Sequence, residues 1–191
     1  MANGEIVAWL NSDDFYEDNA VSNSVKHFLC DPELVLTYGE GYSTDETGLE
    51  KKRFHATQDF DLWTLVNVWD YILQPTTFFK KSALEKVDYL DSDLNWCMDW
   101  DLWIRLAKVG KIKYISEYIA NSREYGDTKT STGGFKRLNE IKEVMKKYSD
   151  LRIIPGYYLY ALSTMYTSCK DIAVINKMAK SLMAVGQRCV F

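Results

Sequence analysis

An apolar run that stops at acidic residues constrains the fold of this chain most. Residues 5–10 (Glu-Ile-Val-Ala-Trp-Leu) do not alternate, which predicts a short strand buried on both faces, as in parallel sheets covered by helices. Asn-Ser-Asp-Asp follows at 11–14, at the carboxyl end of the strand, where open α/β sheets bind ligands. Two adjacent carboxylates there can hold a divalent cation that in turn holds a phosphate. A polar turn that caps the next helix explains the same residues equally well.

Composition excludes several classes of protein. The length of 191 residues fits one domain, or one domain with an appendage. A net charge of −4 argues against nucleic acid as a partner, because phosphate backbones need basic surfaces. Four scattered cysteines, without a C-x-x-C pair, and two histidines favour neither a zinc site nor a disulfide framework, which predicts a cytoplasmic location. No apolar stretch reaches the roughly 20 residues that span a bilayer.

The spacing of apolar residues predicts alternating strands and helices. We predict helices at 19–29, with Asp18 as its N-cap, and at 80–87, 135–148 and 171–185. Strands are predicted at 34–38, ending at Gly39, and at 111–116 and 118–125, with an extended segment at 71–79.

A tryptophan-rich stretch at 94–107 predicts a further helix that ends before Gly110. Trp100, Trp103 and Ile104 fall on one face of it. Asp101 and Arg105 are spaced i, i+4, which predicts a surface ion pair. Asp99 lies in the first turn, where the helix dipole stabilises a carboxylate, so the sequence predicts that it stays ionised at neutral pH. It is either a helix N-cap or a catalytic carboxylate.

The segment at 151–191 differs from the rest of the chain. It carries five basic residues and one acidic residue among many aromatic and apolar ones. This composition fits helices that pack on the sheet, and it also fits a peripheral contact with anionic lipid. We therefore divide the chain into a domain at 1–150 and a helical extension at 151–191.

Four short motifs occur in a recognisable order: Gly-Glu-Ile at 4–6, Leu-Asn-Ser-Asp-Asp at 10–14, Gln-Pro-Thr-Thr-Phe-Phe at 74–79 and Met-Asp-Trp-Asp-Leu-Trp-Ile-Arg at 98–105. Together they resemble the family 2 glycosyltransferases, which have the GT-A fold and move a sugar from a nucleoside diphosphate to an acceptor. The resemblance implies an α/β fold: a partial GT-A, Rossmann-like mixed sheet with helices on both faces, plus C-terminal helices.

The resemblance also implies roles for individual residues. Asp13 matches the family's metal-binding Asp-x-Asp motif and would hold Mg²⁺ or Mn²⁺, while Asn11 and Asp14 lie beside it. Asp99 matches the acidic residue that acts as the base in an inverting transfer, although Met98 replaces the acid that often precedes it. Arg123 matches an arginine that binds the diphosphate, with Tyr125 in place of the family's histidine.

The implied function is metal-assisted, inverting transfer of a sugar from a nucleotide-sugar donor to a glycan or lipid-linked acceptor, as in surface polysaccharide synthesis at the cytoplasmic membrane face. The family's nucleotide-binding half would precede residue 1, so we expect the chain to be a truncated or split form. A non-catalytic binding module and a phosphoryl- or nucleotidyl-transfer protein are the alternatives. The sequence gives no indication of the oligomeric state.

Overall fold

The computed structural model describes residues 2–49, 51–124 and 132–168, which form a mixed α/β fold with helices on both faces of one sheet. This is the predicted fold class. The strands are β1 (Ile6–Ala8), β2 (Phe15–Tyr16), β3 (Leu34–Thr44), β4 (Lys51–Arg53), β5 (Phe78–Lys80) and β6 (Lys111–Arg123). The helices are α1 (Ala20–Cys30), α2 (Leu62–Asn67), α3 (Lys81–Lys86), α4 (Met98–Ala107), α5 (Gly134–Tyr148) and α6 (Pro155–Ser168), and a 3₁₀ turn covers Gln74–Thr76.

The sheet has the strand order β1-β5-β3-β6-β2, with β4 beside the far end of β3. Only β3 and β6 pair in parallel among the described strands. β1 lies at an edge and pairs antiparallel with β5, so Ile6 and Val7 are only partly buried and Ala8 is exposed. The prediction that this strand is buried on both faces is therefore wrong, because the residues that the structure describes cover Ile6 and Val7 only in part and leave Ala8 exposed.

The two central strands are longer than the sequence predicts. β3 continues through Gly39, where a side chain would lie 2.7 Å from the carbonyl oxygen of Glu117, so the glycine permits close packing and does not end the strand. In the parallel register Gly39 pairs with Ile115 but Glu40 pairs with Tyr118. β6 therefore bulges at 116–117 and continues, where the polar residues had predicted a break between two strands.

Each face of the sheet has its own apolar cluster. On one face α1 contributes Ala20 and Phe28, which pack against Ile119 of β6. The N-cap of α1 is Asn19, in the left-handed region with φ of 64°, and not Asp18 as predicted. On the other face α4 is buried almost all round, with Trp103 at its centre, and α2, α5 and α6 pack there.

α6 packs on α5 and adds Tyr157 and Tyr160 to the edge of the larger cluster. The predicted helix at 171–185 lies outside the described residues, and the division of the chain at residue 150 stays a prediction. None of the described helices is both long and apolar enough to cross a membrane.

Asp101 joins α4 to α5 through a buried carboxylate. Its side chain has no exposed surface. One oxygen accepts hydrogen bonds from Lys147 Nζ at 2.9 Å and the Tyr148 hydroxyl at 2.5 Å, and the other accepts from Arg105 Nε at 2.6 Å. Burial raises the pKa of Asp101, but the three donors outweigh burial and hold its pKa below the ordinary value. The predicted surface pair with Arg105 is thus a buried cluster, because α5 covers it.

Glu140 makes the reverse connection, from α5 to the backbone in front of α4. Its carboxylate accepts the backbone N–H groups of Asn95 at 3.0 Å, Trp96 at 2.6 Å and Cys97 at 2.7 Å. The N-cap residue, Cys97, supplies no side-chain cap of its own. A carboxylate from another helix therefore satisfies donors that helix starts leave unpaired, and it lies where the helix dipole favours negative charge.

We expect Asp101→Asn to lower the free energy of unfolding by about 3 kcal/mol, because the change removes the buried negative charge that pairs with the mostly buried Arg105 and the half-exposed Lys147. Asp93→Asn, at an exposed carboxyl in the loop before α4, is the control and should change it by less than about 0.5 kcal/mol. Because the folded pKa of Asp101 is depressed, its stabilisation is present above pH of about 4 and is lost as the pH falls through the folded pKa. Urea denaturation at several pH values measures the free energy of unfolding of each variant and its pH dependence. If Asp101→Asn were still less stable than the unaltered protein in strong acid, the stabilising role of the Asp101 carboxylate would be contradicted.

We expect Glu140→Ala to destabilise the fold by about 2 kcal/mol, because three backbone donors lose a charged acceptor. Glu143→Ala, on the exposed face of the same helix, controls for the loss of a glutamate from α5. Hydrogen exchange should show faster exchange of the amides of Asn95, Trp96 and Cys97 in Glu140→Ala only. Equal protection of these amides in both variants would show that Glu140 does not hold this segment.

Candidate active site

A cleft of about 750 Å³ lies where the turn after β1, the end of β6 and the start of α4 meet. All five residues to which the sequence assigned a site role line it: Asn11, Asp13, Asp14, Asp99 and Arg123. Residues that are more than 80 positions apart in the chain are thus brought together.

Asn11 holds the turn after β1 in place. Its side-chain amide donates to Asp14 Oδ2 and to Gln74 Oε1, both at 2.9 Å, and the backbone N–H of Asp14 donates to the carbonyl oxygen of Asn11 at 3.2 Å. The Gln74 amide in turn donates to the carbonyl oxygen of Trp9. This ring of hydrogen bonds fixes the acidic turn against the 3₁₀ turn, so Asn11 acts here as a structural bridge.

Asp14 connects the same turn to the end of β6. Its Oδ1 accepts the backbone N–H of Arg123 at 3.1 Å, while its Oδ2 is held by Asn11. Burial raises the pKa of Asp14, and these two hydrogen bonds partly offset that effect. Because each of its oxygens accepts a hydrogen bond, Asp14 holds the turn after β1 against the end of β6.

Asp13 is the residue of this turn that the sequence predicts as the metal ligand. It is partly buried and lines the cleft next to the braced Asp14. Among the described residues, no group of three or more His, Cys, Asp or Glu side chains is placed to hold a metal. Mg²⁺ is commonly bound through one or two carboxylates together with waters and substrate phosphates, and the oxygen donors of this turn fit that mode.

Arg123 ends β6 with its guanidinium at the cleft. The group lies over the Phe15 ring, 5.6 Å from its centroid, and its Nε atom is buried with no hydrogen-bond acceptor in the described part of the chain. A buried donor without an acceptor is costly, and a guanidinium is a group that binds phosphate through several N–H donors. Tyr125, which stands in place of the family's histidine, lies outside the described residues.

Asp99 lies in the first turn of α4 and lines the cleft. It is not the N-cap, since that position belongs to Cys97, and its Oδ1 accepts the backbone N–H of Trp100 at 2.8 Å. Burial raises the pKa of Asp99, whereas the hydrogen bond from Trp100 and the charge of Arg137 lower it in part, and the net shift is upward. Burial therefore outweighs the helix dipole that had predicted an ordinary ionised carboxylate, and a carboxylate with a raised pKa is a stronger base.

Several polar residues line this cleft without a role predicted from the sequence, among them Asp70, Gln74, Arg137 and Tyr160. Gln74 lies in a quoted motif, which was the one available signal. The others lie in segments whose pattern predicted only an irregular stretch or a helix with a solvated face.

The chain has distant relatives among known proteins, although no family model matches it. It is 25% identical to the hyaluronan synthase of Pasteurella multocida over 161 residues, which is 84% of this chain and 16% of that protein. It is 23% identical to an uncharacterized glycosyltransferase of Rickettsia typhi over 187 residues, or 91% of this chain and 56% of that protein. The chain thus spans about half of this relative and a small part of the synthase.

The fold is similar to that of a solved structure, residues 1–349 of TarS from S. aureus. The TM-score is 0.53 with 13% sequence identity, over 90% of this chain and 50% of that one. This likeness concerns the fold alone. The chain is therefore distantly similar in sequence to glycosyltransferases, and its mixed α/β fold is like that of TarS.

Proposed function

We propose that the chain is a family 2 glycosyltransferase domain of the GT-A type, which transfers a sugar from a nucleoside-diphosphate sugar to an acceptor hydroxyl with inversion. One observation carries the proposal: a single cleft joins the acidic turn after β1, the unsatisfied Arg123 and the Asp99 carboxyl. The first two suit an anionic donor and the third suits a hydroxyl that must lose a proton.

On the donor side, Asp13 would hold Mg²⁺ or Mn²⁺, and the Asn11–Asp14 hydrogen bond would keep the turn in shape. The bound cation supplies stabilisation of the negative charge that develops on the leaving diphosphate. Arg123 would contribute to the same stabilisation, since its buried Nε–H requires an acceptor.

On the acceptor side, Asp99 would take the proton of the attacking hydroxyl. The acceptor oxygen then bonds to the anomeric carbon, and the bond from that carbon to the diphosphate breaks with its electron pair leaving on the phosphate oxygen. α4 is buried almost all round, which supports Asp99 as a rigidly held base.

For substrates, we propose a glycan or lipid-linked acceptor, because one relative is a hyaluronan synthase. We also propose that the protein works at the cytoplasmic face of a membrane, which it contacts peripherally through the segment from residue 151 onward. Ile153, Tyr158 and Met165 leave at least half of their surface exposed in this segment, which supports contact with an apolar phase.

We expect Asp13→Asn and Asp99→Asn to separate binding from transfer. Loss of an outer-shell partner of a metal typically weakens metal binding by roughly tenfold or more. Asp13→Asn removes a proposed direct ligand, so it should weaken Mn²⁺-dependent donor binding by more than that. Asp99→Asn should keep donor binding and lower transfer by about 10²–10⁴-fold, because only the base is lost. Titration calorimetry with UDP- and GDP-sugars measures binding, and analysis of the sugar product measures transfer and its stereochemistry.

Asp18→Asn, at an exposed carboxyl near the turn, is the control and should behave like the unaltered protein. Chelation of the metal should abolish donor binding by the unaltered chain. If calorimetry detects no heat of binding with millimolar donor and Mn²⁺, the proposal that this chain alone is an enzyme is contradicted. That result would favour a non-catalytic binding module. Nucleotide or phosphate on the acceptor in place of sugar would favour nucleotidyl or phosphoryl transfer.

A further inference from the structure

Tyr160 connects the C-terminal helix to the cleft. It lies on α6, within the segment that the sequence predicts as a helical extension, and it lines the same cleft as Asp99. Its ring also packs against the larger apolar cluster, to which α4 belongs. A residue of the predicted extension therefore forms part of the wall of the candidate active site.

The hydroxyl of Tyr160 holds a segment of backbone beside the cleft. Its oxygen accepts the backbone N–H of Asp70 at 3.3 Å. Asp70 lies between α2 and the 3₁₀ turn, and its Oδ1 accepts the backbone N–H of Ile72 at 3.0 Å. Because residues 69–73 form no helix or strand, the phenol supplies an acceptor that regular secondary structure would otherwise provide.

The ring of Tyr160 packs against Trp100, the residue that follows the proposed base. The two ring centroids are 5.6 Å apart, with 47° between the ring planes. On its other side, the Trp100 indole Nε1–H donates to the carbonyl oxygen of Leu65 on α2 at 2.7 Å. The backbone N–H of Trp100 donates to Asp99 Oδ1 at 2.8 Å. Tyr160 therefore contacts the residue that orients the Asp99 carboxyl.

The same ring holds a cation at this end of the cleft. The guanidinium carbon of Arg137, on α5, lies 5.8 Å from the centroid of the Tyr160 ring, within the range of a cation–π interaction. Arg137 lines the cleft, and no ion pair between described residues includes it. The aromatic ring is thus a contact that fixes where this positive charge lies.

The charged and titratable groups around Asp99 come from four parts of the fold: Asp70 before the 3₁₀ turn, Cys97 before α4, Arg137 and Glu140 on α5, and Tyr160 on α6. Burial raises the pKa of Asp99, and the hydrogen bond from Trp100 lowers it in part. The charge of Arg137 lowers this pKa further, whereas Glu140 raises it. The ring of Tyr160 therefore contacts two groups, Trp100 and Arg137, that favour the ionised form of Asp99.

We propose that Tyr160 is a positioning residue for the transfer, which keeps Asp99 in one geometry towards the acceptor hydroxyl. Its ring acts through Trp100 and Arg137, and its hydroxyl acts through the backbone of Asp70. This inference rests on the proposed function, in which Asp99 is the base. Tyr160 takes no proton itself, and the proton of the acceptor hydroxyl moves to Asp99 as proposed above.

Kinetic measurements on Tyr160→Leu test the proposal. We expect kcat of transfer to fall by about 10²-fold, the cost of misplacing a catalytic group by about 1 Å. Donor affinity measured by calorimetry should be unchanged, because Asp13 and Arg123 lie on other elements than those that Tyr160 contacts. A merely structural role would instead lower the amount of donor bound and kcat together, since both follow the folded fraction.

Tyr157→Leu is the matched control, because Tyr157 lies on the same helix at the edge of the same apolar cluster but does not line the cleft. It should transfer sugar like the unaltered protein. Tyr160→Phe keeps the ring and should recover much of the kcat that Tyr160→Leu loses. Equal losses of kcat in Tyr157→Leu and Tyr160→Leu, or in Tyr160→Phe and Tyr160→Leu, would overturn the role of the ring.

Hydrogen exchange on Tyr160→Phe tests the hydroxyl in a variant that keeps the packing of the ring. The amide of Asp70 should exchange faster in this variant than in the unaltered protein, because it loses its acceptor. Tyr157→Phe, which also loses one phenol from α6, should leave this amide as protected as before. If Tyr160→Phe protected the Asp70 amide equally well, the role of the hydroxyl would be overturned.

An NMR titration without substrate separates this inference from the proposed function. The aspartate carboxyls are labelled with ¹³C, and the Asp99 resonance is identified by its absence in Asp99→Asn. In Tyr160→Leu its midpoint should move to higher pH, because Trp100 and Arg137, which lower the pKa of Asp99, lose the contact that holds them. Tyr157→Leu should not move it. The acid limb of the transfer profile should move in the same direction.

The outcomes of the titration and of the transfer assay are distinct. An unchanged Asp99 midpoint in Tyr160→Leu overturns the positioning role, whether or not the chain transfers sugar. If the midpoint moves as expected and the unaltered chain transfers no sugar, the proposed function is contradicted, while the hold of Tyr160 on the surroundings of Asp99 is supported.

Discussion

The reciprocal pair of carboxylates between α4 and α5 is the constraint on which the site depends. Asp101 of α4 binds donors on α5, and Glu140 of α5 binds the backbone in front of α4. The two connections lie at different points along α4, so they oppose both sliding and rotation of this helix against α5. Asp99 lies between them, in the first turn of α4. The position of the proposed base is therefore set by interactions that do not touch a substrate.

The other side of the cleft is held by hydrogen bonds and by no ion pair among the residues that the structure describes there. Asn11, Asp14 and Gln74 close a ring that ties the edge strand β1 to the 3₁₀ turn and to the end of β6. This ring engages the side chains of Asn11 and Asp14, the two residues that lie beside the predicted metal ligand in the sequence. One side of the cleft, at α4, is thus held by buried carboxylates, and the other side, at β1, is held by hydrogen bonds between turns.

How much the sequence predicted depends on the range of each interaction. The helix at 98–107 and the presence of five site residues in one cleft followed from local patterns and from the order of the motifs. The course of β3 through Gly39 could not be predicted from local patterns. The glycine is required by close contact with Ile119 and Glu117, which lie on a strand far away in the chain. The burial of Asp101 depends on α5, about 45 residues later, and its i, i+4 spacing to Arg105 is the same in a surface pair. No local pattern places Asp70 in the cleft either, since the Tyr160 hydroxyl that accepts its backbone N–H lies on α6.

The bulge in β6 has a consequence for how such a site can change. Between Ile115 and Ala120 the strand contains three residues that β3 does not match, Ser116, Glu117 and Ile119. Successive side chains of a strand point to opposite faces, so removal of a single residue there would turn every later side chain of β6, Arg123 included, to the other face. The number of residues in the bulge therefore determines which face of the sheet the later side chains of β6 occupy. Ser116 is exposed and Glu117 is partly exposed, so an insertion or deletion at these two residues can change which side chains of β6 face the cleft without any substitution in the cleft itself.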